Sequence, residues 1–231
     1  MKINIITMFP EMFPAQLGQS LAGKALEKGI WEINIINMRD YAEDKHKTVD
    51  EKPFGGGAGM VIKPDVLGKA IEATGGKNII YATPKGRIFN QSVAQEFAKK
   101  EEITFICGRF EGIDQRVIDK YDIDEVSIGD FVLSGGEIAV LAMLDASIRL
   151  LPEVVGSESG LHEESFGSGE YKQLLEYPHY TRPANWQGLE VPEVLLSGNH
   201  KEIENWRLEE AKKITEERRQ DLWKKYKESK K

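Results

Sequence analysis

The chain is poor in the residues that hold small or extracellular folds together. Its 231 residues include one cysteine, Cys107. A single thiol excludes an intramolecular disulfide and any cysteine-rich zinc site. It closes the apolar run Ile103–Cys107, so core packing is the reading ahead of a nucleophilic role. Long apolar runs are missing as well. Nothing approaches the roughly 20 residues that span a bilayer. The amino terminus, MKINIITMFPEMF, has only a short apolar run and no small-residue cleavage site. The expectation is a cytoplasmic protein with no membrane partner. Positive charge is scarce: 31 Lys and Arg against 38 Asp and Glu give a net charge of −7, which argues against indiscriminate nucleic-acid binding. Residues 201–231 depart from that balance, with 11 Lys and Arg against 8 Asp and Glu. Such a tail can follow phosphates, or be the solvated face of a helix.

The familiar nucleotide signatures are absent too. The segment PFGGGAG over 53–59 lacks the Gly-Lys-Ser/Thr ending of a phosphate-binding loop. It also lacks the G-x-G-x-x-G spacing and follows no expected strand. What remains is a loop whose backbone can approach a ligand closely.

What is present is a regular alternation. Ile3–Thr7, Ile33–Asn37, Asn78–Ala82, Ile103–Cys107 and Glu125–Ile128 are short β-branched runs that read as buried strands. Helical patterns lie between them at Gly18–Lys28, Asp65–Ala73, Gln91–Lys100 and Ile113–Lys120, with a longer one at Glu137–Leu151. Strands alternating with helices imply an α/β fold, a mostly parallel sheet covered on both faces, over residues 1–155. The pattern breaks at residues 156–174, where Gly and Ser dominate and apolar periodicity is lost. That segment is expected to be a flexible interdomain linker. Residues 175–231 read as a small helical domain, opened by a capping box of Asn199 and Glu202.

Three glycine-bearing segments each follow an expected strand: Thr83–Gly86, Gly108–Gly112 and Gly129–Gly136. In parallel sheets ligands bind beyond the carboxyl ends of strands, so the three could form one pocket for an adenosine-like molecule.

Five longer motifs, PFGGGAGMV (53–61), CGRFEGIDQRV (107–117), IGDFVLSGGE (128–137), PHYTRP (178–183) and LLSGNHKEIENWR (195–207), resemble those of the bacterial tRNA (guanine-N1)-methyltransferases, in order and almost end to end. The resemblance implies the SPOUT class of fold, with a deep trefoil knot in the first domain. It implies S-adenosylmethionine held by Tyr81, Ala82, Thr83, Gly108, Phe110, Glu111, Gly112, Ser127, Ile128, Gly129, Phe131, Leu133, Gly135 and Gly136. Phe110 and Phe131 stand where tyrosine is common in the family. The implied substrate is tRNA with guanine at position 37, methylated at N1. That chemistry needs a base near N1 and a cation near O6. Arg149 matches the family's arginine, and Glu164 stands where the family has aspartate. The longer side chain changes the reach by roughly one ångström. Glu163 and His162 are the neighbouring candidates for the base. His179, Tyr180, Arg182, Asn199, His200 and Arg207 are the expected tRNA contacts. The family also implies a homodimer with its active site at the subunit interface. Some relatives need magnesium for turnover, and no ligand cluster is visible in this sequence. Two other readings are a different RNA methyltransferase of the same class and a non-catalytic adenosine-ligand sensor.

Overall fold

The computed structural model describes residues 1–155 and 160–230. The chain divides into two compact units, Met1–Val155 and Gly156–Lys231. The first is an alternating α/β layer structure. Its strands are β1 Lys2–Thr7, β2 Glu32–Asn37, β3 Asp50–Glu51, β4 Val61–Ile62, β5 Ile79–Ile88, β6 Glu102–Cys107 and β7 Asp124–Ser127. Its helices are α1 Ser20–Glu27, α2 Pro64–Ala73, α3 Gln91–Ala98, α4 Gln115–Tyr121 and α5 Glu137–Ile148. Five strands pair in the order β2-β1-β6-β5-β7, and every pairing is parallel. The two short strands β3 and β4 form a separate antiparallel hairpin.

Side chains of a strand alternate between faces, and the two cores of this unit follow that rule. Ile3, Ile5, Ile80, Ile103 and Phe105 join Val93, Phe97, Val140 and Leu144 on the side of α3 and α5. Ile6, Ile79, Tyr81 and Ile106 join Val66, Leu67, Ile71 and Val117 on the side of α2 and α4. The sheet is thus buried on both faces, and this is why its strands read as near-continuous apolar runs.

One strand differs from its expected form. Thr83–Gly86 is a bulge inside β5 rather than a turn after it. Ala82 and Arg87 both stand opposite Val126 of β7, so the four residues between them bow out of the ladder. A Cβ on Gly86 would lie 2.2 Å from the backbone of Glu125 and Val126, and only glycine lets the returning strand come so close.

The second unit contains the short helix α6 Gly160–Glu163, a 3-10 turn at Gly169–Gln173, a hairpin of β8 Asn185–Trp186 and β9 Leu189–Glu190, and helices α7 Glu193–Leu196, α8 His200–Arg218 and α9 Gln220–Ser229. Of the segment expected as a linker, residues 156–159 lie outside the described residues. Residues 160–174 are tied into the second unit. Leu174 is fully buried with Tyr177, Ala211 and Tyr226, and the next amide, Leu175, donates to Thr215 Oγ1 at 2.8 Å. The capping box is half made. Asn199 Oδ1 accepts from the Glu202 amide, but the Asn199 amide donates to Ser197 Oγ, not to Glu202.

Candidate functional site

The three strand-end segments meet around one cavity of about 270 Å³. β5 and the start of its bulge supply Tyr81, Ala82 and Thr83; the loop after β6 supplies Gly108, Phe110, Glu111 and Gly112; the end of β7 and the loop after it supply Ser127, Ile128, Gly129, Phe131, Leu133, Gly135 and Gly136. All fourteen expected positions line it. Pro84, Lys85, Arg109, Val126, Val132, Ser134 and Ala139 line it as well, and sequence reasoning had not singled them out. Phe110 and Phe131 are 52% and 51% exposed, so two aromatic rings stand uncovered on the walls. Open apolar surface beside main-chain polar groups suits a ligand with a flat heterocycle and a polar edge.

The glycines of these walls have a use that the sequence did not suggest. They admit protein atoms. A Cβ on Gly108 would lie 2.6 Å from the Tyr81 ring, and one on Gly136 would lie 3.0 Å from the backbone of Cys107 and Gly108. The Gly136 amide donates to Gly108 O at 2.9 Å. The second and third loops are therefore pressed together.

A buried ion pair locks that contact. Glu137, the first residue of α5, is 1% exposed. Its Oε1 accepts from Thr7 Oγ1 at 2.9 Å and from Arg109 Nε at 3.3 Å. Its Oε2 lies 3.0 Å from Arg109 Nη2 as a charge contact without a hydrogen bond. Arg109 also donates to Ser134 O at 3.2 Å and lies over the Phe9 ring at 4.3 Å. A carboxylate at the start of a helix suggests a dipole effect in a sequence; here it joins β1, the second loop and the third.

The glycine-rich segment 53–59 joins β3 to β4, and its hairpin is bound to the second loop. The Glu111 amide donates to Met60 O at 2.9 Å, and the Ile62 amide to Gly112 O at 2.9 Å. Cys107 is fully buried under the site, and burial pushes its thiol well up. That is the inert packing role expected of it.

Arg149 is the half-buried C-cap of α5, its amide bonded to Asp145 O. Glu164 is half-buried in the second unit. Its neighbours are engaged there: Glu163 Oε2 accepts from Tyr177 Oη at 2.9 Å and Arg207 Nη1 at 3.1 Å, and His162 Nδ1 bonds Ser168 Oγ. His179 is exposed, with Nε2 3.0 Å from Glu176 Oε1 and its ring 5.0 Å from that of Tyr177. Tyr180 is exposed beside Trp206, ring centres 6.3 Å apart. Arg182 and His200 are exposed. Asn199 caps α8, and Arg207 is half-buried. Several tail cations face acids, among them Lys212 with Glu209, Arg219 with Asp221 and Lys230 with Glu170, so part of the tail's positive charge is offset locally. Among the described residues no group of three or more His, Cys, Asp or Glu is placed to hold a metal, and no helix is long and apolar enough to cross a membrane.

Comparison with known proteins bears on the whole chain. The model of the family described as tRNA (Guanine-1)-methyltransferase TrmD matches residues 1–225. A tRNA (guanine-N(1)-)-methyltransferase of Rhodospirillum rubrum is 53% identical over 224 residues, covering 96% of this chain and 92% of that protein. Proteins of the same name from Wolbachia pipientis and Anaplasma marginale are 55% and 50% identical, covering 95% and 97% of this chain and 94% and 95% of their own.

Proposed function

The chain belongs to the tRNA (guanine-1)-methyltransferase family, and from that membership we propose how its residues divide the work. The reaction is transfer of a methyl group from S-adenosylmethionine to N1 of the guanine at tRNA position 37, next to the anticodon. The family lies in the SPOUT class; we assign its deep trefoil knot to residues 1–155, with 156–174 as the interdomain segment and 175–231 as the tRNA-binding domain.

One observation carries the cofactor assignment: the bulge of β5 and the ends of β6 and β7 converge on a single cavity lined by all fourteen family positions. The lining fits the group, since Phe110, Phe131 and Leu133 offer apolar surface for an adenine while the loop backbones read its edge. When bound, S-adenosylmethionine supplies a methyl group activated on a sulfonium. The chain's residues prepare the guanine. N1 carries a proton at neutral pH and is a poor nucleophile until it leaves. Glu164 takes that proton as general base. Arg149 sets its charge against O6, where negative charge gathers as N1 is deprotonated. N1 lies on the pairing edge of the base, so the guanine must turn out to be reached. His179, Tyr180, Arg182, Asn199 and His200 hold the anticodon stem and loop by stacking and phosphate contacts. The active unit is a homodimer, with the Glu164 segment of one subunit completing the cofactor site of the other. The enzyme works in the cytoplasm, where its substrate is.

Two matched tRNA transcripts, with guanine or adenine at position 37, test the reading. Methylation of the guanine transcript alone, mapped to N1, is expected. Equal methylation of both would move the target elsewhere on the RNA. Glu164→Gln is expected to abolish transfer while S-adenosylmethionine still binds. A ribose-methylating enzyme would not need that carboxylate.

A further inference from the structure

The carboxylate of Glu163, next in sequence to Glu164, sits in a built clamp. One oxygen of Glu163 receives the Tyr177 hydroxyl at 2.9 Å and Arg207 Nη1 at 3.1 Å. The guanidinium of Arg207 lies over the Tyr177 ring at 4.9 Å, so the two donors also hold each other. They come from different elements, the segment before PHYTRP and the middle of α8. Arg207 Nε is buried and makes no hydrogen bond with the described residues, so only part of this guanidinium is turned to solvent.

The backbone on either side of Glu164 is equally constrained. The Gly167 amide donates to Glu164 O at 2.9 Å, Ser168 to His162 O at 3.1 Å and Phe166 to Leu174 O at 3.0 Å. The Glu176 amide donates to Ser165 Oγ at 2.9 Å. A Cβ on Gly167 would lie 2.3 Å from His162 O, so the turn closes only with glycine there. Burial, then the bond to Glu163, pushes Tyr177 up to about 12; the phenol stays a donor throughout the working range.

We infer that Tyr177 and Arg207 are positioning residues: they grip the Glu163 carboxylate and so fix the backbone that presents Glu164. The inference rests on Glu164 being the base. It also gives Arg207 a different task from the phosphate contact expected of it in the sequence. Misplacement of a reacting group by one ångström is enough to lower a rate about a hundredfold, so the clamp should act on chemistry rather than on tRNA affinity.

The test is single-turnover methyl transfer to the guanine-37 transcript by the full chain, at saturating S-adenosylmethionine and varied tRNA. Tyr177→Phe and Glu163→Gln are expected to lower the rate at saturating tRNA about tenfold, and Arg207→Ala by about thirty- to a hundredfold. The half-saturating tRNA concentration should stay within about threefold of wild type, and Arg207→Lys should recover part of the rate. Adding Glu163→Gln to Arg207→Ala should cost little more, because both break one interaction. If Arg207→Ala does not fold, Tyr177→Phe, which removes one oxygen, still decides the matter. The opposite pattern overturns the inference: Arg207→Ala weakens tRNA binding and lowers its salt slope by about one, while Glu163→Gln is neutral. Glu164→Gln separates the two levels. If that variant keeps its full rate, the base assignment fails and the clamp's role falls with it. If it is inactive while the clamp variants run at wild-type rate, the clamp alone is wrong.

Discussion

Breaking the Arg109–Glu137 pair should have unequal effects depending on which partner is removed. Glu137 is 1% exposed and Arg109 is 20% exposed. Arg109→Ala strands a buried carboxylate with Thr7 Oγ1 as its one remaining donor within the pair's network. Losing one partner of a buried pair costs about 3–5 kcal/mol. Glu137→Ala instead strands a cation that already reaches solvent, donates to Ser134 O and lies on the Phe9 ring. Its cost should be smaller, about 1–3 kcal/mol. A change of 1 kcal/mol moves the melting point of a chain this long by about 2–4 °C. Arg109→Ala should therefore melt roughly 6–20 °C lower, and Glu137→Ala roughly 2–12 °C lower. Both variants should also bind S-adenosylmethionine more weakly, because the Arg109 side chain, held by Glu137, ties the second loop to Ser134 O of the third. Urea unfolding followed by circular dichroism, with titration calorimetry of the cofactor, gives both quantities. A Glu137→Ala protein less stable than Arg109→Ala, or an Arg109→Ala protein with wild-type cofactor affinity, would refute the reasoning.

Three further expectations can be checked independently. Cys107 is fully buried with its thiol raised by desolvation, so iodoacetamide should label it only after unfolding; rapid labelling of the native chain, followed by mass spectrometry, would contradict this. Gly86→Ala forces a Cβ to within 2.2 Å of the β7 backbone and should cost about 1–3 kcal/mol, read as a lower urea midpoint; an unchanged midpoint would mean that the two strands separate easily. Tyr177 titrates at about 12 when folded against an ordinary value of 10.0. Its stabilisation is therefore complete below pH 10 and lost as pH rises toward 12. In absorbance at 295 nm, Tyr177→Phe should remove a late phenolate step, and loss of an early step instead would show the residue to be exposed.

The layered fold was legible because strand and helix periods are physical consequences of burial. All five expected strands form the sheet, with ends shifted by a residue or two except at β5. That strand was cut short at Ala82 because Thr-Pro-Lys-Gly reads as a turn, whereas pairing with β7 resumes at Arg87. Bulges depend on the partner strand and leave little trace in local sequence. The cavity positions were legible through motif resemblance, yet Arg109 and Glu137 were not singled out as a pair. They are 28 residues apart, and nothing local in either residue signals the other. The contacts of segment 160–174 were not legible for a related reason: Leu174 packs with Ala211 and Tyr226, and the next amide, Leu175, bonds Thr215 40 residues away.

The bow in β5 is fastened at both feet to the same neighbour, Ala82 and Arg87 each standing opposite Val126. Its length is therefore metered by the sheet. Exchanging Thr83, Pro84 or Lys85 would alter the wall of the cavity and leave the ladder as it is, whereas Gly86 is held to glycine by its approach to β7. Removing one residue would either flatten the wall or drag Arg87 and Ile88 back by one position. Because facing reverses with each residue, that slip would turn Phe89 from the core it packs against and undo the approach to α3. Evolution of this wall should proceed by substitution and almost never by deletion.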